Sequence, residues 1–162
     1  MLLATEFESV IEDYHHLKQH VQLWDVACEK VLRVYGDEAE KLIRLVSPRD
    51  ISKTTVGQCI YVPLIDRTGG ILNDPVILNI SPNEFWICLA DSDYIHYLLG
   101  VSGALHLNVQ IDEPDISILA VQGPKSEELM HRVFGEKVRK IAFFRFKELE
   151  AVGEKILVSR SG

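Results

Sequence analysis

The chain has 162 residues, 47% of them hydrophobic and 25% charged, and a net charge of −7. That length suits one domain with a sizeable core, and the acidic balance argues against a surface built to grip nucleic-acid phosphates, which calls for basic patches. No apolar run approaches the roughly 20 residues that span a bilayer. The opening MLLATEFES lacks the basic segment and long apolar stretch of a signal peptide, so a cytoplasmic location is expected. Cys28, Cys59 and Cys88 are too few and too scattered for a disulfide scaffold. Each is expected in a strand, as a small apolar residue in a reducing compartment.

The period of three and four in Phe7, Val10, Ile11, Tyr14, Leu17 and Val21 predicts a helix over residues 7–21 with one apolar stripe. Glu12, His16 and His20 share a face of that helix. The spacing permits a metal site, but the opposite position to the apolar stripe reads as a polar face. Residues 23–27 read as a connector and 30–35 as a strand. Gly36 breaks that strand and Asp37 is placed to cap a helix reaching Val46, with Ala39, Leu42, Ile43 and Val46 on its buried face. Ser47-Pro48 stops it.

Strands follow over 58–65, 71–80 and 84–89, joined by Arg67-Thr68-Gly69-Gly70 and Ser81-Pro82-Asn83. Pro63 argues for an edge or a bulge. Ser92 is placed to cap a helix to Leu99, ended by Gly100 and Gly103. Residues 105–111 and 116–122 read as strands and 124–134 as a helix. The segments 145–151 and 155–159 form a closing hairpin around Val152-Gly153-Glu154. The basic run 131–147, interrupted by apolar residues, reads as a solvated face.

An internal repeat runs through this pattern. Residues 31–46 (VLRVYGDEAEKLIRLV) align without a gap on 118–133 (ILAVQGPKSEELMHRV), with six identities in sixteen at a constant offset of 87. Each copy is a strand, a glycine break and a helix. A repeat of this period points to two related halves that pack together. The expected fold is α+β: antiparallel sheets backed by three or four helices, built on duplicated strand–helix units.

One local rule is broken. Asn73-Asp74-Pro75 interrupts a run that otherwise pairs well, and it sets an amide and a carboxylate on opposite faces of one strand. Such a break inside a well-patterned hairpin marks either a site or a bulge. Common signatures for nucleotide, hydrolase, redox or zinc chemistry (G-x-x-x-x-G-K, G-x-S-x-G, C-x-x-C, H-E-x-x-H) are absent.

GGILNDPVI resembles the GG-x-x-D-D hairpin of the glycine-cleavage T-protein family, the tetrahydrofolate-dependent aminomethyltransferases. HVQLWDVA, PRDISK, VGQCIYVPL, NDPVIL, ADSD and LAVQGPK are similar to the dimethylsulfoniopropionate demethylase-like branch of that family. The resemblance implies a folate domain made of a duplicated α+β unit, in agreement with the repeat, and tetrahydrofolate as cofactor.

In the T-protein pattern the place of Asn73 is an aspartate that faces the folate and is implicated in aminomethyl transfer. A neutral amide at that place supplies no general base. It suits methyl transfer from a sulfonium, where positioning does most of the work. The resemblance therefore assigns Asn73 and Asp74 to the chemistry and Tyr61, twelve residues before Asn73, to the folate pocket beside Asn73, Ala90 and Asp91. A core aromatic at Tyr61, and Asp91 with Ser92 as mere helix caps, are the plainer alternatives. Trp24 and Trp86 are candidates for an aromatic wall against a sulfonium, with core packing as the alternative.

Taken with the resemblance, residues 1–162 are expected to form part of a folate-binding domain. The chain looks like an N-terminal piece, because family members continue beyond the lead-in at 158–162. Expected partners are a small-molecule substrate and folate, with neither nucleic acid nor membrane, and a homo-oligomer is expected. The expected activity is tetrahydrofolate-dependent methyl transfer from a sulfonium such as dimethylsulfoniopropionate. Glycine-cleavage aminomethyl transfer and a non-catalytic folate-binding or scaffold role are the alternatives.

Overall fold

A computed structural model describes residues 4–90 and 93–162. In chain order the elements are α1 (Val10–Gln19), β1 (Gln22–Asp25), β2 (Val31–Tyr35), α2 (Ala39–Val46), β3 (Cys59–Tyr61), β4 (Leu64–Ile65), β5 (Ile71–Asn73) and β6 (Val76–Ser81). They continue with β7 (Glu84–Cys88), α3 (Ile95–Ala104), β8 (Gln110–Asp112), β9 (Leu119–Gln122), α4 (Ser126–Phe134), α5 (Glu136–Arg139), β10 (Arg145–Ala151) and β11 (Glu154–Arg160). The fold is α+β, and the strand pairs are antiparallel.

The main sheet has the order β3-β6-β7-β2-β8. β7 alternates cleanly and β2 does so from Leu32 onward: Phe85, Ile87, Leu32 and Val34 are buried, while Glu84, Trp86, Arg33 and Tyr35 face the other way. On the buried face lie α2, through Ala39, Leu42, Ile43 and Val46, and the segment around α3, through Tyr94 and Leu98. Each large side chain so buried contributes about 1.5–3 kcal/mol. A second, smaller cluster of Val138, Ile141, Leu149 and Val158, with Met130 and Phe134 against it, joins the β10–β11 hairpin to α4 and α5.

The repeat is larger than its sequence match, and its strands are exchanged. β8 pairs with β2, and β1 pairs with β9. Gln22 lies opposite Gln122 and Leu23 opposite Val121; in the other pair Gln110 lies opposite Tyr35 and Ile111 opposite Val34. The two ladders thus share one register, and the strand that precedes each repeat pairs with the repeat of the other half.

The same glycine seals both crossings. Gly36 and Gly123 each sit at φ +124°, and a Cβ at either would collide with a backbone carbonyl, that of Asn108 at 2.7 Å in the first case and that of His20 in the second. Those two carbonyls also accept the backbone N–H of Glu38 (3.4 Å) and Lys125 (3.0 Å). Only glycine adopts this backbone and tolerates this approach.

Several expectations are revised. Residues 22–25, expected within a connector, form β1 because β9 pairs with them. The 58–65 strand divides into β3 and β4 at Val62-Pro63, and the 71–80 strand into β5 and β6 at Asp74-Pro75, since proline supplies no ladder donor. The 105–111 strand shrinks to β8. Cys28 lies in an exposed turn, not in a strand. The helix over 7–21 shortens to α1, held at its start by a reciprocal cap in which Ser9 Oγ accepts from the Glu12 N–H and donates to its carboxylate. Phe7, Val10, Ile11 and Tyr14 of its apolar stripe are exposed and Leu17 is half-buried, with no buried residue in the helix. A short α5 joins the expected helices. Among the described residues no helix is long and apolar enough to cross a membrane.

Candidate functional site

The Asn-Asp-Pro step lies where β5 hands over to β6. Asn73 ends β5 opposite Leu64, is 4% exposed, and its Oδ1 accepts the backbone N–H of Ala90 at 3.1 Å. Ala90 follows directly on β7, so this bond fastens the exit of β7 to the edge hairpin. Asp74 points outward. Tyr61, at the end of β3 opposite Val76, donates its hydroxyl to Asp74 Oδ2 at 2.8 Å. The Val62 N–H goes to the Pro75 carbonyl at 3.0 Å, which closes the ladder around the proline.

Tyr61, Asn73, Asp74 and Ala90 therefore meet at one end of the main sheet. Tyr61 is 44% exposed, and its ring offers an aromatic face beside a carboxylate. Its phenol is held above its ordinary pKa, first by the hydrogen bond to Asp74, then by desolvation and by the charge of Asp74. Removing the proton would set a phenolate against a carboxylate. At neutral pH Tyr61 is a donor and Asp74 its acceptor, and an amide such as Asn73 has no proton to exchange near neutrality.

A further residue reaches this cluster. Arg49 follows α2 in an exposed turn, where its backbone N–H bonds Ser47 Oγ at 3.0 Å. Its Nη1 donates to the Tyr61 carbonyl at 2.6 Å. Sequence periodicity gives no sign of Arg49, since it lies in neither helix nor strand; the available pointers were the Ser-Pro-Arg-Asp turn after a strong helix and the PRDISK segment that carries the resemblance.

Asp91 and Ser92 lie outside the described residues. The two tryptophans sit in different sheets. Trp86 is on the outward face of β7, half-buried between Leu78 and Arg33 across the ladder, with Nε1 donating to Glu84 at 2.9 Å. Trp24 is in β1 opposite Ala120 and is 45% exposed. Arg33, beside Trp86, makes a two-pronged ion pair with Asp112 at 2.9 and 2.6 Å and lies 4.6 Å from the Tyr35 ring.

Burial pushes the thiol of Cys59 up to about 11 and that of Cys88 up to about 12, so neither is a thiolate nucleophile near neutral pH. His16 and His20 stack on one another at 4.9 Å, and His20 Nδ1 lies 2.9 Å from Lys125 Nζ. Among the described residues no group of three or more His, Cys, Asp or Glu is placed to hold a metal ion.

The GCVT N-terminal domain model matches residues 3–162. Over all 162 residues the chain is 49% identical to dimethylsulfoniopropionate demethylase DmdA of Ruegeria pomeroyi, of which it covers 44%. It is 26% identical over 99% of its length to an aminomethyltransferase of Clostridium botulinum, again covering 44% of that protein. The chain thus spans less than half the length of these relatives.

Among solved structures, the glycine cleavage system aminomethyltransferase T of Bartonella henselae superposes with a TM-score of 0.76 at 21% identity, over 87% of this chain and 39% of that one. A chain of the heterotetrameric sarcosine oxidase of Corynebacterium superposes with a TM-score of 0.63 at 18% identity, over 90% of this chain and 72% of that one. Both carry the same α+β fold. With its family model matched from residue 3 to residue 162, the chain belongs to the GCVT N-terminal domain family.

Proposed function

We propose that this chain forms one wall of the site of a tetrahydrofolate-dependent methyltransferase that demethylates a sulfonium such as dimethylsulfoniopropionate. The observation that carries the reading is the 49% identity to a dimethylsulfoniopropionate demethylase along the whole chain. It is joined by an amide, not a carboxylate, at position 73, in the buried position beside Ala90.

In such a transfer a methyl–sulfur bond breaks. Its electron pair stays on sulfur, which leaves as a neutral sulfide. A bond forms to a nucleophilic nitrogen of the acceptor, which then releases its proton to water. The leaving group needs no protonation, so the protein has to position the partners more than to move protons.

The residues present fit a flat heteroaromatic acceptor. Tyr61 offers an exposed ring for stacking, with Asp74 fixed at its hydroxyl. Asn73 acts by holding the Ala90 backbone at the exit of β7. Tetrahydrofolate, when bound, supplies the nucleophilic nitrogen. Aminomethyl transfer is the weaker reading, because Asn73 has no carboxylate to offer an amine substrate.

The test is to incubate the protein with tetrahydrofolate and dimethylsulfoniopropionate and to follow methyltetrahydrofolate by mass spectrometry. Methylated folate with matching release of the sulfide supports the reading. Tetrahydrofolate that fails to bind and stays unmethylated would refute it.

A further inference from the structure

Resting on that reading, we infer that Arg49 and Asp74 form a pair of opposed charges, held at the two ends of Tyr61, that selects a zwitterionic substrate: Asp74 faces the cationic onium group and Arg49 binds the carboxylate.

The observation is one of charge left over. Arg33, Arg44, Arg132, Arg139 and Arg160 each meet a carboxylate. Arg49, like Arg67 and Arg145, meets none among the described residues, and its one hydrogen-bond acceptor is a neutral carbonyl. Asp74 likewise has no cationic partner among the described residues, and its one bond is to a neutral hydroxyl. Neither charge is quenched by the other, since the two form no ion pair.

A single residue fixes both. Arg49 grips the main chain of Tyr61, and Asp74 grips the far end of its side chain. The tyrosine is therefore a spacer of set length with a cation at one end and an anion at the other, and its exposed ring lies between them. Guanidinium groups present five N–H donors in a rigid fork suited to carboxylates, and Arg49 spends one of its nitrogens on Tyr61. A carboxylate facing an onium is favourable at short range, and more so once a ligand displaces water from between them. An anion alone would be repelled by Asp74 and a cation alone by Arg49. A short molecule carrying both charges satisfies the two ends together.

The test compares dimethylsulfoniopropionate with its methyl ester, which keeps the sulfonium and loses the carboxylate charge. Binding of each is measured by calorimetry to the wild-type chain, Arg49→Gln and Arg49→Lys, with tetrahydrofolate titrated in parallel. The wild type should prefer the free acid by about tenfold, the scale of one charge-assisted hydrogen bond. Arg49→Gln should abolish that preference while binding the ester as before, and Arg49→Lys should restore part of it. Asp74→Asn should weaken both ligands.

An Arg49→Gln chain that keeps the preference overturns the inference, as does a wild type that shows none or binds neither ligand. Should Arg49→Gln fold poorly, guanidinium NMR on the wild type decides: the Arg49 signal must move with the free acid and stay with the ester. A chain that takes no tetrahydrofolate would retire the proposed methyl transfer, and the comparison of acid and ester would still decide the role of Arg49.

Discussion

The two copies of the strand–glycine–helix unit share their backbone but not their burial. In the first, β2 is flanked by β7 and β8, and α2 buries Ala39, Leu42, Ile43 and Val46. In the second, β9 is flanked by β1 alone among the described residues, and α4 buries no residue. Leu119 and Val133, the counterparts of Leu32 and Val46, are 58% and 53% exposed, against 0% and 2%. The glycine, the register and the helix position are nonetheless reproduced. Local sequence and the glycine crossing therefore set the shape of the unit. The neighbour on the far edge of its strand decides how much it is stabilised.

That difference is open to direct attack. The largest effect should come from Leu42→Ala, which empties a fully buried position and should cost about 2–5 kcal/mol. The matching Leu129→Ala removes a half-buried side chain and should cost under about 1.5 kcal/mol, since less apolar area returns to water. Urea denaturation of the two variants gives the ratio, and equal losses would show that α4 is as well covered as α2.

Gly36→Ala and Gly123→Ala should each cost about 1–3 kcal/mol, because both force a side chain into the same glycine-only backbone against a carbonyl. Here the halves should agree. A much cheaper Gly123→Ala would mean that the second crossing yields where the first is rigid.

The edge of β9 left unpaired among the described residues, with Leu23 and Leu119 exposed beside it, should pair between copies, so light scattering at micromolar concentration should find a dimer or larger assembly. Leu119→Lys should shift it toward monomer. A monomeric wild type would break the expectation of a homo-oligomer.

The smallest effect lies in the β2–β8 ladder. Its Arg33–Asp112 ion pair has no counterpart in the other ladder, where Trp24 lies opposite Ala120. The hydrogen bond from Arg33 holds Asp112 below the ordinary aspartate range; desolvation opposes it, and the guanidinium charge adds to it. A carboxylate depressed on folding contributes stability above its unfolded pKa and loses it as pH falls through the folded one. Because both side chains are more than a third exposed, the contribution should stay below about 1 kcal/mol. Asp112→Asn should flatten the stability profile below about pH 4, and an unchanged acid limb in urea melts would remove the pair from the account.

Helix α2 was legible because its four buried residues repeat at helical spacing, and the repeat because its glycine and apolar positions recur without a gap. The exchange of strands was not. Periodicity says that a strand exists and which face is apolar, but it is silent on its partner, and β1 is only four residues long. The apolar stripe of α1 was found by the same rule that found α2. A pattern of apolar residues does not say whether anything covers it, and here Val10, Ile11 and Tyr14 are exposed.

At the site, the broken strand drew attention to Asn73 and Asp74, and the structure brings Tyr61 and Ala90 to them. The bonds that make the cluster, Tyr61 to Asp74 across thirteen residues and Asn73 to Ala90 across seventeen, depend on hairpin register and were beyond periodicity. Trp24 and Trp86, similar as residues, were separated by the sheets their strands joined.

The crossed pairing also bears on how the chain comes off the ribosome. β1 has its partner about a hundred residues downstream, so at about 5–20 residues per second it waits some 5–20 s for β9 to be made. For most of that interval β2 lacks β8 as well, and neither half then holds its complete ladder. Pairings of such long sequence separation slow folding, and they bind the two halves into one event. A ribosome-stalled chain ending before Leu119 should leave residues 4–25 open to protease, long after the sheet around β7 has closed.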